Sequence, residues 1–149
     1  MKLHTAEEIL SPCINRTKLT QYAENKLKQL PSIAENMQCL IGEKFSEECI
    51  FVNDEGDGLY REYSNLDSLA LEVAVNGQGD SWLINTKDAG VHLFDHGTGG
   101  IYSLNIDFRQ FVQLVDLMKQ HEKEPDKALI KLMKEIDSEL PENWPFELD

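Results

Sequence analysis

The chain of 149 residues has no long hydrophobic run, and this absence limits the classes of protein to which it can belong. No apolar stretch approaches the roughly 20 residues that a membrane helix needs. The opening residues, Met-Lys-Leu-His-Thr-Ala-Glu-Glu, lack the apolar core of a signal peptide. We therefore expect a cytoplasmic protein without membrane contact. A composition of 41% hydrophobic and 28% charged residues is ordinary for one globular domain, which would span residues 1–149.

Cysteine is also scarce, and the three that occur are widely and unequally spaced, at Cys13, Cys39 and Cys49. The chain has no Cys-x-x-Cys pair, so neither a zinc knuckle nor a dithiol redox site is indicated. Free cysteines in proteins are usually buried. We therefore predict three reduced thiols that act as small apolar groups, with no metal and no cofactor.

Positive charge is in short supply, since 14 lysines and arginines face 27 acids and the net charge is −13. The excess lies in two segments: residues 43–80 hold ten acids and two bases, and residues 135–149 hold six acids and no base. This charge excludes nucleic acid as a partner, because phosphate binding requires a basic face. An acidic surface instead favours a basic protein partner, whose capture it speeds by long-range attraction. Solubility alone is the alternative that the charge leaves open.

The sequence indicates no catalytic set. His92, Asp95 and His96 lie close together, but no serine or cysteine is placed to act as a nucleophile, and no Gly-x-Ser-x-Gly or His-Glu-x-x-His motif occurs. Asp95 and His96 are predicted to cap the end of a strand, with metal binding or acid-base catalysis as the alternative. Asp80 is predicted to cap a turn where a strand begins, with a place on the partner-binding surface as the alternative. We expect a protein that is not an enzyme.

One loop imitates the start of a calcium site without completing it. Asn53, Glu55 and Asp57 have the spacing of the first calcium ligands, but Ser64 stands at the twelfth position, where a glutamate is needed. We therefore interpret residues 53–58 as an acidic loop between two strands.

Apolar spacing predicts helices near the start of the chain, after 14 residues whose lack of pattern allows for a flexible arm. The first helix falls on residues 19–30 and ends at Pro31. The second begins at Ser32, whose side chain would form a capping box with Glu35, and it ends at Gly42.

Strand patterns occupy the middle of the chain. Residues 49–52 and 59–63 are predicted as strands. Residues 66–75 fit both strand alternation and helical spacing, and we prefer a short helix that runs into an Asn-Gly turn. Three further strands follow this turn and are joined by glycine-marked hairpins, at residues 82–84, 91–94 and 101–104.

The residues after the third of these strands predict an amphipathic helix, which begins with a capping box of Asp107 and Gln110. Pro125 ends it, and a further helix continues to Leu140. The tail at residues 142–146 carries two aromatic residues and is predicted to fold back onto the core. The fold class is therefore α+β, with N-terminal helices, a central antiparallel sheet, and C-terminal helices packed on one face. Four aromatic residues are predicted to be buried together where the sheet meets the helix: Trp82, Phe94, Phe108 and Phe111.

A series of short motifs resembles the SUKH superfamily, named for a yeast cell-wall regulator and its relatives. The motifs are Gly79-Asp80-x-Trp82, then Asp95-His96 after a hairpin, then Phe108-x-x-Phe111 after a second hairpin. The Leu-Pro that the family carries in its first helix is present at Leu30-Pro31, whereas Ala34 stands where the family has an aromatic residue.

The resemblance implies a function that the residues alone do not. Most bacterial members of the family look like immunity proteins that neutralise a partner toxin, often a nuclease. On that basis, an acidic surface of this chain would bind a basic protein toxin. The predicted partner-binding residues are Glu47, Glu48, Asp54, Glu55, Asp57 and Asp80. A stand-alone regulatory or scaffold module that binds a cellular protein is the alternative.

Overall fold

The computed structural model describes residues 1–13, 16–52, 62–63, 70–122 and 124–148. Helices lie at both ends of the chain, and the strands lie between them. The first helices are α1 (Ala6–Leu10), α2 (Gln21–Leu27) and α3 (Pro31–Leu40). The strands are β1 (Lys44–Ser46), β2 (Cys49–Phe51), β3 (Glu62–Tyr63), β4 (Ala70–Val75), β5 (Ser81–Asn85), β6 (Gly90–Phe94) and β7 (Ile101–Asp107). The last helices are α4 (Phe108–His121), α5 (Asp126–Ile136) and α6 (Leu140–Asn143). This order confirms the predicted α+β class.

The described strands form one antiparallel sheet in the order β1-β2-β4-β5-β6-β7, and β3 pairs with β4 beside this path. The three strands predicted after the Asn-Gly turn are confirmed as β5, β6 and β7. Strand β2 confirms the strand predicted at residues 49–52. Of the strand predicted at residues 59–63, the structure describes Glu62–Tyr63 alone, as β3.

The short helix preferred for residues 66–75 is wrong in the part of this segment that the structure describes. Residues 70–75 form β4, which pairs with β2 and β3 on one side and with β5 on the other. Pairing on both sides supplies backbone hydrogen bonds that local spacing cannot reveal. Long-range pairing therefore decides between the two patterns, and it decides against the helix that we preferred from the local spacing.

The main core lies between one face of the sheet and the helices. Trp82, Phe108 and Phe111 are buried there as predicted, and the ring centroids of Trp82 and Phe111 are 5.2 Å apart. The prediction for Phe94 is wrong. Successive side chains of a strand point to opposite faces, so β6 turns Leu93 into this core and leaves Phe94 half-buried on the other face.

Helix α4 begins as the sequence predicts. The Asp107 side chain accepts a hydrogen bond from the backbone N–H of Gln110 at 2.9 Å, and the Gln110 side-chain oxygen accepts one from the Asp107 N–H at 3.0 Å. The side-chain amide of Gln110 also donates to the carbonyl oxygen of Ile136, the last residue of α5, at 3.1 Å. The capping box therefore also ties α5 to the start of α4.

The N-terminal segment packs on the fold and is not a free arm over residues 1–13. Thr5 and Glu8 form a capping box at the start of α1, and Ala6 is buried in the core. The side-chain amide of Gln113, in α4, donates to the carbonyl oxygen of His4 at 2.9 Å. Because the contact of Gln113 with His4 joins distant parts of the sequence, no local pattern predicts it.

Helix α3 begins one residue earlier than predicted and without the capping box. Pro31 is its first residue and Leu30 precedes it, with no side-chain cap. Proline suits this position because the first N–H of a helix has no partner within the helix. Gly42 follows the helix end as predicted, with a φ of +73° that favours glycine.

The prediction of three reduced thiols is wrong. Cys13 and Cys39 form a disulfide with their Cα atoms 5.8 Å apart, although 26 residues separate them in sequence. The backbone N–H of Thr17 donates to the carbonyl oxygen of Gln38 at 2.9 Å, so the segment after Cys13 returns to α3. Cys49 is a free and buried thiol, and burial raises its pKa.

The C-terminal tail folds back onto the core as predicted. Helix α5 ends at Ile136, and a separate α6 begins at Leu140, so the single helix predicted to reach that residue is interrupted. Trp144 is buried, and its ring stacks on Trp82 at a centroid distance of 5.6 Å. Phe146 also contacts Trp82, edge to face, at 6.5 Å.

Candidate functional site

Three turns meet at one end of the sheet, and acidic residues lie in all of them. They are the β1–β2 turn at residues 47–48, the β4–β5 turn at residues 76–80 and the β6–β7 turn at residues 95–100. The backbone N–H of Gly77 donates to the carbonyl oxygen of Glu47 at 2.7 Å, which joins the first two turns. We call the ionisable residues of these turns the turn cluster: Glu47, Glu48, Asp80, Asp95 and His96.

Asp80 holds the second and third turns together. It is 5% exposed, and one of its carboxylate oxygens lies 2.6 Å from Nδ1 of His96 and accepts the His96 backbone N–H at 3.2 Å. The other oxygen accepts the side-chain amide of Asn76 at 3.2 Å. Burial by itself raises the pKa of Asp80, but the hydrogen bonds from His96 and Asn76 outweigh it and hold this pKa below its usual value. The carboxylate therefore stays ionised. It fixes the turns by hydrogen bonds and is not part of the exposed surface.

Gly79 suits the backbone of the turn beneath His96. Its φ of +92° lies in the region that favours glycine, and a Cβ at this position would stand 3.5 Å from the His96 ring. The His96 ring thus lies directly over the β4–β5 turn. The Gly-Asp and Asp-His motifs, which are 16 positions apart in sequence, form one contact in the fold.

Asp95 caps the turn that follows it, as the sequence predicts. Its side chain accepts the backbone N–H of Gly97 at 2.8 Å. Ligand atoms of Asp80, Asp95 and His96 all lie within 4.8 Å of one another, which is the spacing of a metal site. However, Oδ1 of Asp80 already accepts two hydrogen bonds from His96, and Oδ2 accepts one from Asn76, so most of the acceptor capacity of this carboxylate is used within the turns. The arrangement suits a turn that is fixed by hydrogen bonds better than it suits a metal centre.

Glu47 and Glu48 have different surroundings. The Glu47 side chain is 74% exposed and pairs with Lys44. Glu48 is half-buried, and its Oε2 atom is shielded from solvent without a hydrogen-bond partner. Burial, followed by the nearby charges of Asp80 and Glu47, raises the pKa of Glu48. Of this pair, Glu47 is the residue that a partner could reach.

Trp82 brings the two acidic segments of the chain together. Its indole N–H donates to the carbonyl oxygen of Glu48 at 2.7 Å, while its ring stacks on Trp144 of the tail. Residues 43–80 and 135–149 therefore meet at a single side chain. Four acids of the tail are exposed: Glu135, Glu139, Glu142 and Glu147.

The remaining predicted partner-binding residues, Asp54, Glu55 and Asp57, lie outside the described residues, as do the rest of the acidic loop and Ser64. Of the six predicted residues, the structure therefore brings Glu47, Glu48 and Asp80 together. It places Glu47 at the surface, Glu48 partly inside and Asp80 inside.

A polar pocket of about 430 Å³ lies elsewhere on the sheet and includes His92, which the sequence could not link to a partner. Ser103 is the β7 residue opposite His92, and both line this pocket with Asp88 and Asn105. Burial lowers the pKa of His92 more than the charge of Asp88 raises it, so the imidazole is neutral at pH 7. The Ser103 hydroxyl donates to the Asn105 side chain at 3.0 Å, so His92 does not activate it. Only the strand register could have revealed this pairing.

The chain matches no protein-family model, and neither the curated proteins nor the solved structures contain a match to it. Among the described residues, no helix is both long enough and apolar enough to cross a membrane.

Proposed function

We propose that this chain is a cytoplasmic immunity protein of the SUKH type that binds and neutralises a basic protein toxin. The observation that supports this proposal best is the meeting of the two acidic segments at Trp82. The resemblance in the motifs of residues 79–111 supplies the toxin as the partner. The acidic charge of the chain favours a partner whose contact surface is basic, because opposite charges attract.

The fixed position of the acids matters for binding. The backbone contact between Gly77 and Glu47 and the stack of Trp82 on Trp144 hold the two acidic segments in place before a partner arrives. Less conformational entropy is then lost on binding. A nuclease is a suitable partner, because its active site presents positive charges to phosphates, and carboxylates form charge-assisted hydrogen bonds with the same groups.

We infer that the protein works by binding and is not an enzyme. In the described part of the chain, His96 contacts Asp80 between two turns, and His92 lies opposite Ser103, whose hydroxyl already donates to the Asn105 side chain. Such an arrangement lacks the hydrogen bond between nucleophile and base on which acyl-transfer chemistry depends.

Co-expression tests the proposal directly. The full chain is produced in cells together with the product of the neighbouring open reading frame, and growth is measured. We expect that product to stop growth when it is expressed alone and the chain to restore growth. Failure of a folded, soluble chain to rescue growth would contradict the immunity function and favour the regulatory or scaffold alternative.

Charge reversal tests the surface. Changing Glu47 and Glu142 to Lys should slow association with the toxin severalfold, and added salt should weaken binding of the wild-type chain. The matched control changes Glu24 and Glu122 to Lys, because these exposed acids lie on other elements and the substitution alters the net charge equally. An equal effect of both variants would mean that overall charge attracts the toxin without a defined surface.

The acidic loop needs its own variant, since it was predicted from sequence alone. Changing Asp54, Glu55 and Asp57 together to Lys should slow association severalfold if the loop takes part. An unchanged association rate would assign the contact to Glu47 and the tail.

A further inference from the structure

The Cys13–Cys39 disulfide fastens the N-terminal segment to α3. Both cysteines are half-buried, and both line a surface cleft of about 320 Å³ formed by residues of α1, α3, β1 and α4. A small dithiol or the active site of a redox protein can approach a bond placed at the surface in this way. The disulfide therefore differs from Cys49, which is buried in the core.

Helix α1 is too short to be stable by itself. It has five residues, whereas isolated helices shorter than about 12–15 residues are marginal in water. Ala6 is its only buried residue, although Ile9 and Leu10 pack partly against the core. The order of α1 therefore depends on what holds it to the rest of the fold.

The polar contacts that hold this segment to α4 are exposed or partly buried, and they include the hydrogen bond from the Gln113 side-chain amide to the carbonyl oxygen of His4. Glu7 pairs with Arg109, and His4 lies 3.1 Å from Asp116. The backbone of Lys2 exchanges two hydrogen bonds of 2.9 Å with the side chain of Gln120. Exposed ion pairs contribute roughly 0–1 kcal/mol each, because solvent screens them and side-chain entropy opposes them. Among the described residues, the disulfide is the covalent cross-link between the N-terminal segment and α3, in addition to the backbone itself.

We propose that the Cys13–Cys39 disulfide is a reversible redox clamp that controls the order of residues 2–13. In the oxidised protein, α1 is docked on α4 as the structure shows. In the reduced protein, α1 detaches and the segment becomes a flexible arm, while the sheet and α4 keep their structure. Because disulfides are rare in the reducing cytoplasm, the clamp is open there and closes under oxidising conditions.

The reaction is a two-electron thiol–disulfide exchange with a dithiol reductant. A thiolate of the reductant attacks one sulfur of the disulfide, forms a mixed disulfide with that cysteine and expels the other cysteine as a thiolate. The second thiol of the reductant then attacks the mixed disulfide and releases the remaining cysteine. Cys13 and Cys39 become thiols, and the dithiol becomes an intramolecular disulfide.

Hydrogen exchange of the full chain in oxidised and reduced states tests the clamp. Thiol counting after denaturation comes first, and we expect one free thiol without reductant and three after treatment of the native protein with dithiothreitol. Exchange at the amides of Ile9, Ser11 and Cys13, which all donate within this segment, should then become about tenfold faster or more. Exchange in β5 and β6 should not change.

Two variants separate the clamp from general effects of the reductant. Cys13→Ser cannot form the bond, so its segment should exchange quickly in both conditions. Cys49→Ala keeps the bond and should respond to dithiothreitol as the wild type does. The proposal is overturned by three free thiols in the untreated protein, by a disulfide that resists dithiothreitol until the chain is denatured, by unchanged exchange of the segment on reduction, or by reduction that unfolds the whole domain.

Discussion

Replacing Phe111 with alanine removes the side chain that joins α4 to the sheet, and the structure allows the cost to be worked out. Phe111 is fully buried, and its ring lies 5.2 Å from that of Trp82 and 6.3 Å from those of Phe51 and Phe108. Phenylalanine-to-alanine changes in packed cores cost about 3–5 kcal/mol, from the lost transfer free energy and the cavity left behind. Three aromatic neighbours place this site in the upper part of that range, since each aromatic pair adds about 0.5–1.5 kcal/mol beyond area burial.

Urea unfolding measures this cost. The unfolding midpoint is followed by far-ultraviolet circular dichroism and compared without regard to the amplitude, because the substitution alters the surroundings of Trp82 and so changes the optical signal of the folded state. A domain of this kind has a total free energy of unfolding of about 5–15 kcal/mol, so the midpoint should fall by a large fraction. Tyr102→Ala is the matched control, since this aromatic residue is 45% exposed and its loss should cost less than about 1 kcal/mol. A Phe111→Ala cost as small as that of the control would refute the packing described for α4.

Two neighbouring acids of the turn cluster should change stability in opposite directions. The pKa of Asp80 is lowered, so its ionised form stabilises the fold above the unfolded pKa of about 3.9, and this stability is lost as the pH falls through the folded value. Asp80→Asn should therefore cost about 1–3 kcal/mol at pH 7, and urea titrations should show the difference shrinking at acid pH; a constant difference would rule out the charge as the cause. The pKa of Glu48 is raised, so ionisation of Glu48 opposes folding as the pH rises above its unfolded value. Glu48→Gln should raise the urea midpoint at pH 7 and leave it unchanged near pH 4, and a lower midpoint at pH 7 would show that the charge is needed.

The sequence predicted those features whose causes are local. The capping box of Asp107 and Gln110 lies within four consecutive residues, and Gly42 follows α3 because glycine adopts a positive φ, so the neighbouring residues were sufficient to predict both. The strand β4 was missed because its evidence lies in β2 and β5, outside the segment itself. Hydrogen bonds between strands cannot be inferred from the spacing of apolar residues within a single strand.

The site was predicted in part for the same reason. The capping role of Asp95 follows from its position in a turn with glycines. In the β4–β5 turn, the side chain that accepts the backbone N–H groups is that of Asn76, whereas Asp80 accepts from Asn76 and His96. The partner of Asp80 did not follow, because His96 reaches it across the sheet from another hairpin. Charge counting showed that residues 43–80 and 135–149 are acidic, but only the fold shows that Trp82 contacts both.

The stack of Trp82 on Trp144 has a spectroscopic consequence. These are the only two tryptophans of the chain, and their ring planes are 19° apart at a centroid distance of 5.6 Å. Indole transitions so close together couple as an exciton pair, so the far-ultraviolet circular dichroism and the fluorescence of the protein carry a contribution from this one contact. The chain therefore contains an intrinsic optical reporter of whether its C-terminal tail is docked, and any bound molecule that shifted this tail would be detected without an added label.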